Sequence, residues 1–227
     1  MTSGAHDLAN FNVAAEDFLP RVQWVQTLTP AGTRMMTLMP TTPADIFGPL
    51  QTMQARGARC TIKGVLGADG RHMGPAGDGE GRQAMFQFCL LRPLSGAEEF
   101  DIGVSHLRSL LGDLLNELQF TTVIWQSLEG LMHTSGVSYI TDGMGVPDNW
   151  TLRSHVVNAP RHLYTVPWMP TPPIFWRKDG SRVPAGELQN LPAGTEMQVT
   201  FEVVKWKKRG RASEWKMRLV CREVECL

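Results

Sequence analysis

Residues 196–203 read Glu-Met-Gln-Val-Thr-Phe-Glu-Val, with Met197, Val199, Phe201 and Val203 alternating against Glu196, Gln198, Thr200 and Glu202. Strict period two over this length is a half-buried strand, one face on a core and one in water. A helix would scatter the same side chains around its circumference. The phase then changes, because Val204 and Trp206 fall on the face that was polar. In a second alternating run Trp215, Met217, Leu219 and Cys221 point inward while Lys216, Arg218 and Arg222 point outward. Its phase slips near 220–221, which predicts a bulge or a strand bending around a barrel. Together the runs form a basic C-terminal hairpin over 196–224.

The rest of the chain is cut short everywhere by 22 Gly and 15 Pro. That punctuation favours many short strands over a helical bundle. Strand-like runs fall at 22–28, 34–39, 59–66, 84–91, 120–126, 137–141, 155–157, 163–166, 196–206 and 214–224. One helix is expected, over about 104–118: Val104, Leu107, Leu110, Leu111, Leu114, Leu115 and Leu118 follow the i, i+3, i+4, i+7 spacing of a single buried stripe. Asp101 or Ser105 would cap its start, Glu98 and Glu99 would sit at the positive end of its dipole, and Arg108, Asp113 and Glu117 would form its solvated face. The expected fold class is mainly β (β-rich α+β), with this one helix and long loops. Residues 1–20 read as an N-terminal extension, a candidate for disorder, ahead of a single β-rich domain over 21–227. That domain carries a Gly-rich loop at 67–81 and an ordered Pro-rich strap at 160–173.

Composition narrows the function classes. At 42% hydrophobic and 19% charged, the 227 residues can bury a core. No apolar run is long enough to span a membrane, so no membrane partner is expected. Residues 1–10 have neither the basic nor the apolar region of a secretory signal. An intracellular protein, nuclear or cytoplasmic, is expected, with Cys60, Cys89, Cys221 and Cys226 as thiols. There is no CxxC pair, and His72, His106, His133, His155 and His162 are scattered, so neither a metal nor a cofactor is expected. The glycine loop lacks the Gly-Lys-Ser/Thr of a phosphate cradle, and Asp69, Asp78 and Glu80 lack calcium-loop spacing. Nucleophile elbows, zinc-protease motifs and dinucleotide fingerprints are missing too, and His133, Ser138 and Asp142 are merely adjacent in sequence. No catalytic residues are expected.

The net charge of zero conceals a division. Residues 1–176 carry 11 basic and 15 acidic side chains, whereas 177–227 carry 11 and 7. Five of those cations, Lys205, Lys207, Lys208, Arg209 and Arg211, flank Trp206 at the hairpin turn. Lysine and arginine suit phosphate oxygens, and an indole stacks on a base for about 1–3 kcal/mol. With Lys216, Arg218 and Arg222 outward, the hairpin would present a cationic strip, with Trp176 or Trp215 as further stacking partners. The same run reads also as a solvated charged tip or a nuclear-import address.

The segment from Leu191 through Trp206, its basic turn, and the run from Glu214 to Val224 resembles the closing hairpin of viral and phage single-stranded DNA-binding proteins with an OB fold. The likeness spans about 35 residues and has no diagnostic motif. It implies an OB-like antiparallel barrel closed near the C-terminus, sequence-tolerant binding of single-stranded nucleic acid (DNA favoured over RNA), and roles in replication, recombination or strand protection. Other classes stay open: an assembly protein forming homo-oligomers through a β-barrel, a small-molecule-binding β-barrel, and a small-molecule enzyme using the glycine loop as a lid.

Overall fold

The computed structural model describes residues 10–28, 34–41, 57–74, 85–115, 117–123, 125–127, 168–170, 173–207 and 215–227. Within them the chain forms β1 (Phe11–Asn12), β2 (Val22–Leu28), β3 (Arg34–Pro40), β4 (Cys60–Leu66), β5 (Met85–Leu91), α1 (Ala97–Leu111), β6 (Gln119–Val123), β7 (Trp125–Ser127), β8 (Trp168–Pro170), β9 (Ile174–Trp176), β10 (Glu196–Lys207) and β11 (Trp215–Cys226). The expected strands at 137–141, 155–157 and 163–166 lie outside the described residues, as do 75–81 of the glycine loop and 160–167 of the strap. No helix among the described residues is long and apolar enough to cross a membrane.

Five strands close on themselves. β4 pairs β5, β5 pairs β6, β6 pairs β11, β11 pairs β10, and β10 returns to β4. The contact of β6 with β11 is parallel and the other four are antiparallel. The expected OB-like barrel is present, and arithmetic supplies the reason for its one parallel contact. Directions that alternate around a ring of five must repeat once. The result is a five-stranded Greek-key barrel of OB type. Outside the ring, β1 adds to β4 and β9 to β11, both in parallel.

The interior follows from alternation. Met197, Val199, Phe201 and Val203 of β10 are wholly buried, as are Leu219 and Val224 of β11. The bulge lies at Arg222, because Thr200 opposes Glu223 while Phe201 opposes Cys221. Phenylalanines from β5, β6 and β10 fill the barrel: Phe120 lies 5.1 Å from Phe201 and 5.4 Å from Phe88, centroid to centroid.

The helix departs from its expected span. It starts at Ala97 and ends at Leu111, where Gly112 takes a positive φ of 58° that an L side chain rarely adopts. A 3-10 turn, Gly112–Leu114, carries the chain onward. Gly96, in the left-handed region, precedes the helix in place of Asp101 or Ser105, and Glu98 and Glu99 occupy its first turn. The apolar stripe still faces inward: Leu107, Leu111, Leu115 and Leu118 are all buried, the last two beyond the helix. Asp101 instead forms a two-pronged ion pair with Arg92.

The expected boundary at residue 21 is also corrected. Phe11, Val13 and Phe18 are buried in the core. Phe11 and Asn12 pair with Cys60 and Thr61, and His106 Nδ1 lies 2.7 Å from the Val13 carbonyl oxygen. Residues 11–20 are therefore part of the packed domain, held by apolar side chains set between polar ones.

Candidate nucleic-acid interface

β10 takes two successive partners within one sheet. Residues 196–201 pair with β4 inside the ring, whereas 204–206 pair with β3, which continues into β2. The far half of the β10–β11 hairpin thus leaves the barrel as an arm, flanked by the β2–β3 hairpin. The change of phase after Val203 falls where β10 exchanges one partner for the other.

Alternation gives this arm two faces. Lys205 opposes Met217 and Lys207 opposes Trp215, so these four side chains share the face that continues the barrel interior. Trp24 of β2 joins them: Lys205 Nζ lies 4.0 Å from the centroid of Trp24 and 5.5 Å from that of Trp215. Lys207 Nζ sits 5.0 Å from Trp215. On the outer face Trp206 opposes Lys216, and the Arg218 guanidinium carbon stands 5.3 Å from the Trp206 ring. Each such cation–π contact is worth about 0.5–1 kcal/mol where exposed and more where desolvated. Burial lowers the pKa of both Lys205 and Arg218. An arginine stays charged regardless.

The structure separates the expected strip. Lys205 and Lys207 face one way, and Trp206, Lys216 and Arg218 the other. Lys208, Arg209 and Arg211 lie outside the described residues. Arg222 is outward as expected, but its guanidinium grips Glu202 at 2.9 and 3.1 Å, and the Glu202 side chain is only 13% exposed. Its charge is largely neutralised. Trp176 is remote from the tip: it pairs beside Glu225 and donates its indole N–H to Glu223, about 30 Å along β11 from Trp215. Trp24, absent from the expected set, is brought in by the register of β2 on β3, where it opposes Leu38.

Beside the arm lies an open cleft. Leu219 and Val220 pair with Phe120 and Thr121, but N-terminal to them β11 runs past the start of β6. The 3-10 turn and Glu117, which lead into β6, therefore face Trp206 and residues 215–218 across a space of about 800 Å³. Gln87, Gln119 and Thr121 form part of its lining.

No family model matches the sequence, and no curated protein does. Two solved structures are similar: gp2.5, a single-stranded DNA-binding protein encoded by bacteriophage T7, and a C-terminal truncation of the single-stranded DNA-binding protein from bacteriophage Enc34. The first has 9% identity and a TM-score of 0.39, over 74% of this chain and 86% of that one. The second has 6% identity and a TM-score of 0.33, over 89% and 94%. The likeness reaches well beyond the C-terminal hairpin, and at such scores it carries no argument about the site.

Proposed function

We propose that this protein binds single-stranded DNA, with little sequence preference, along the arm built from β10, β11 and β2. The observation that supports this reading is the interleaving of indoles and cations on both faces of one hairpin. Lys205 and Lys207 lie against Trp24 and Trp215, and Arg218 against Trp206. A stacking surface beside each positive charge suits a strand whose bases and phosphates alternate at similar spacing. A duplex keeps its bases stacked inside and offers these indoles nothing. Cellular roles in replication, recombination or protection of exposed strands, in an intracellular setting, accompany the proposal.

The test is a salt titration of oligonucleotide binding followed by tryptophan fluorescence. Affinity should fall linearly on logarithmic axes with a slope of several units, about 0.7 for each phosphate contacted. Replacing Lys205, Lys207 and Arg218 together by Ala should flatten that slope. Absence of binding to any oligonucleotide at low salt refutes the proposal. Self-association under the same conditions would then favour the assembly reading, and tighter binding of the matching RNA would redirect the assignment to RNA.

A further inference from the structure

The cleft beside the arm has two chemically opposite walls. One carries Trp206, Lys216 and Arg218; the other carries Asp113 and Glu117. Glu117 is held toward β5, where Cys89 Sγ lies 3.9 Å from its Oε2. On the outer surface of the barrel Gln87 and Thr121 are register partners across β5 and β6. Thr121 Oγ1 is buried without a hydrogen-bond partner among the described residues, a polar atom that an entering ligand group or water can satisfy.

These walls sort the parts of a nucleotide. A phosphate is attracted to Lys216 and Arg218 and repelled by the two carboxylates, so the backbone belongs on the arm side. What can cross toward Asp113 and Glu117 is an uncharged base edge, its ring against Trp206. An ionised carboxylate only accepts hydrogen bonds. Cytosine, adenine and guanine each present an exocyclic amino donor, whereas thymine presents a single N–H between two carbonyl oxygens that a carboxylate repels. We propose that this cleft admits one base of the bound strand and selects the amino-bearing bases, cytosine, adenine and guanine, over thymine. The inference rests on the single-stranded DNA reading and adds a local preference at one position to binding that is otherwise tolerant.

The experiment compares homopolymeric dC, dA and dT oligonucleotides on the wild-type protein and on an Asp113→Asn/Glu117→Gln variant. The amides accept at one end and donate at the other, so they serve thymine as well as cytosine. Wild type should bind dC and dA about fivefold or more tighter than dT, the lower end of what one good base contact discriminates. In the variant that ratio should collapse toward one. Equal binding of all three tracts by wild type overturns the base preference and leaves single-stranded DNA binding standing. A ratio unchanged in the variant also overturns it, as does a uniform gain in affinity with a steeper salt slope, which would make the carboxylates mere repellers of the backbone. Failure of every tract to bind removes both readings.

Discussion

Gly103 tests whether the N-terminal residues belong to the domain. It lies in the middle of α1, where exchanging Gly for Ala in an exposed helix stabilises by about 1 kcal/mol. Here the added methyl would stand 2.8 Å from Val13 Cγ2 and 3.3 Å from Ile62 Cδ1. Val13 is fully buried, and its short side chain has no flexible end to swing away. Overpacking of this kind costs about 1–3 kcal/mol. The clash outweighs the propensity gain, and Gly103→Ala should destabilise by about 1 kcal/mol, lowering Tm by roughly 2–4 °C for a chain of this size. Val13→Ala alone should also destabilise, by about 1–3 kcal/mol, because it leaves a cavity. In the double variant the new methyl enters the vacated space, so the two losses should fall short of additivity by about 0.5 kcal/mol or more. Urea unfolding of the four proteins measures this. If Gly103→Ala stabilises, or if the two changes add, residues 11–20 do not pack on α1 and the corrected domain boundary is wrong.

Other expectations can be checked singly. Trp24→Ala should weaken oligonucleotide binding by about 1–3 kcal/mol, a stacked base's worth, and Trp24→Phe should retain most of it by fluorescence anisotropy. Hydrogen bonding from Arg92 holds the Asp101 carboxyl below its ordinary range. A depressed folded-state pKa favours the fold above the unfolded carboxyl value of about 3.9 and loses that advantage as pH falls through the folded value. The Tm difference between wild type and Asp101→Asn should therefore shrink as the solution is acidified, and a constant difference would refute the pairing. Burial pushes the Cys60 and Cys221 thiols far up, whereas Cys89 and Cys226 are only half-buried and less strongly perturbed. Timed thiol labelling of the native protein should modify Cys89 and Cys226 first, and all four should react together after unfolding.

Local patterning carried much of the fold. Strand-like runs became β2, β3, β4, β5, β10 and β11 with ends within two residues of expectation, and where period two was strict, over residues 196–203, it also told which side chains are buried. The phase change after Val203 was legible, and its cause, the exchange of β4 for β3, was not, since pairing partners leave no mark on a single strand. The leucine stripe told which side chains are buried through Leu118. The stop at Gly112 was missed because its glycine stands among polar-face residues of an otherwise unbroken pattern. The same limit applies to the candidate site. Lys205, Trp206 and Lys207 stand out as a cluster, but only the register of β2 on β3 brings Trp24 to Lys205, and only cross-strand geometry spends Arg222 on Glu202.

The cleft is a consequence of closing the ring with five strands. The one parallel contact, β6 with β11, cannot be made by a hairpin, so the two strands arrive from different directions. They touch over only Phe120–Leu219 and Thr121–Val220. Before that contact β6 has not begun, and its approach is the 3-10 turn with Asp113 and then Glu117. Over the same stretch β11 is already a strand, held by β10 and extended as the arm with Trp215, Lys216 and Arg218. An acidic approach and a basic, indole-bearing arm must therefore face each other across a gap that no backbone pairing can fill. A barrel with an even number of strands could close by hairpins alone and would have no such gap. Lengthening the parallel contact should shut the cleft, whereas the two faces of the arm, set by β10 on β11, would keep their alternation. The proposed base-selective site and the proposed track along the arm share Trp206 and Arg218, so a change confined to Asp113 and Glu117 would alter the first and spare the second.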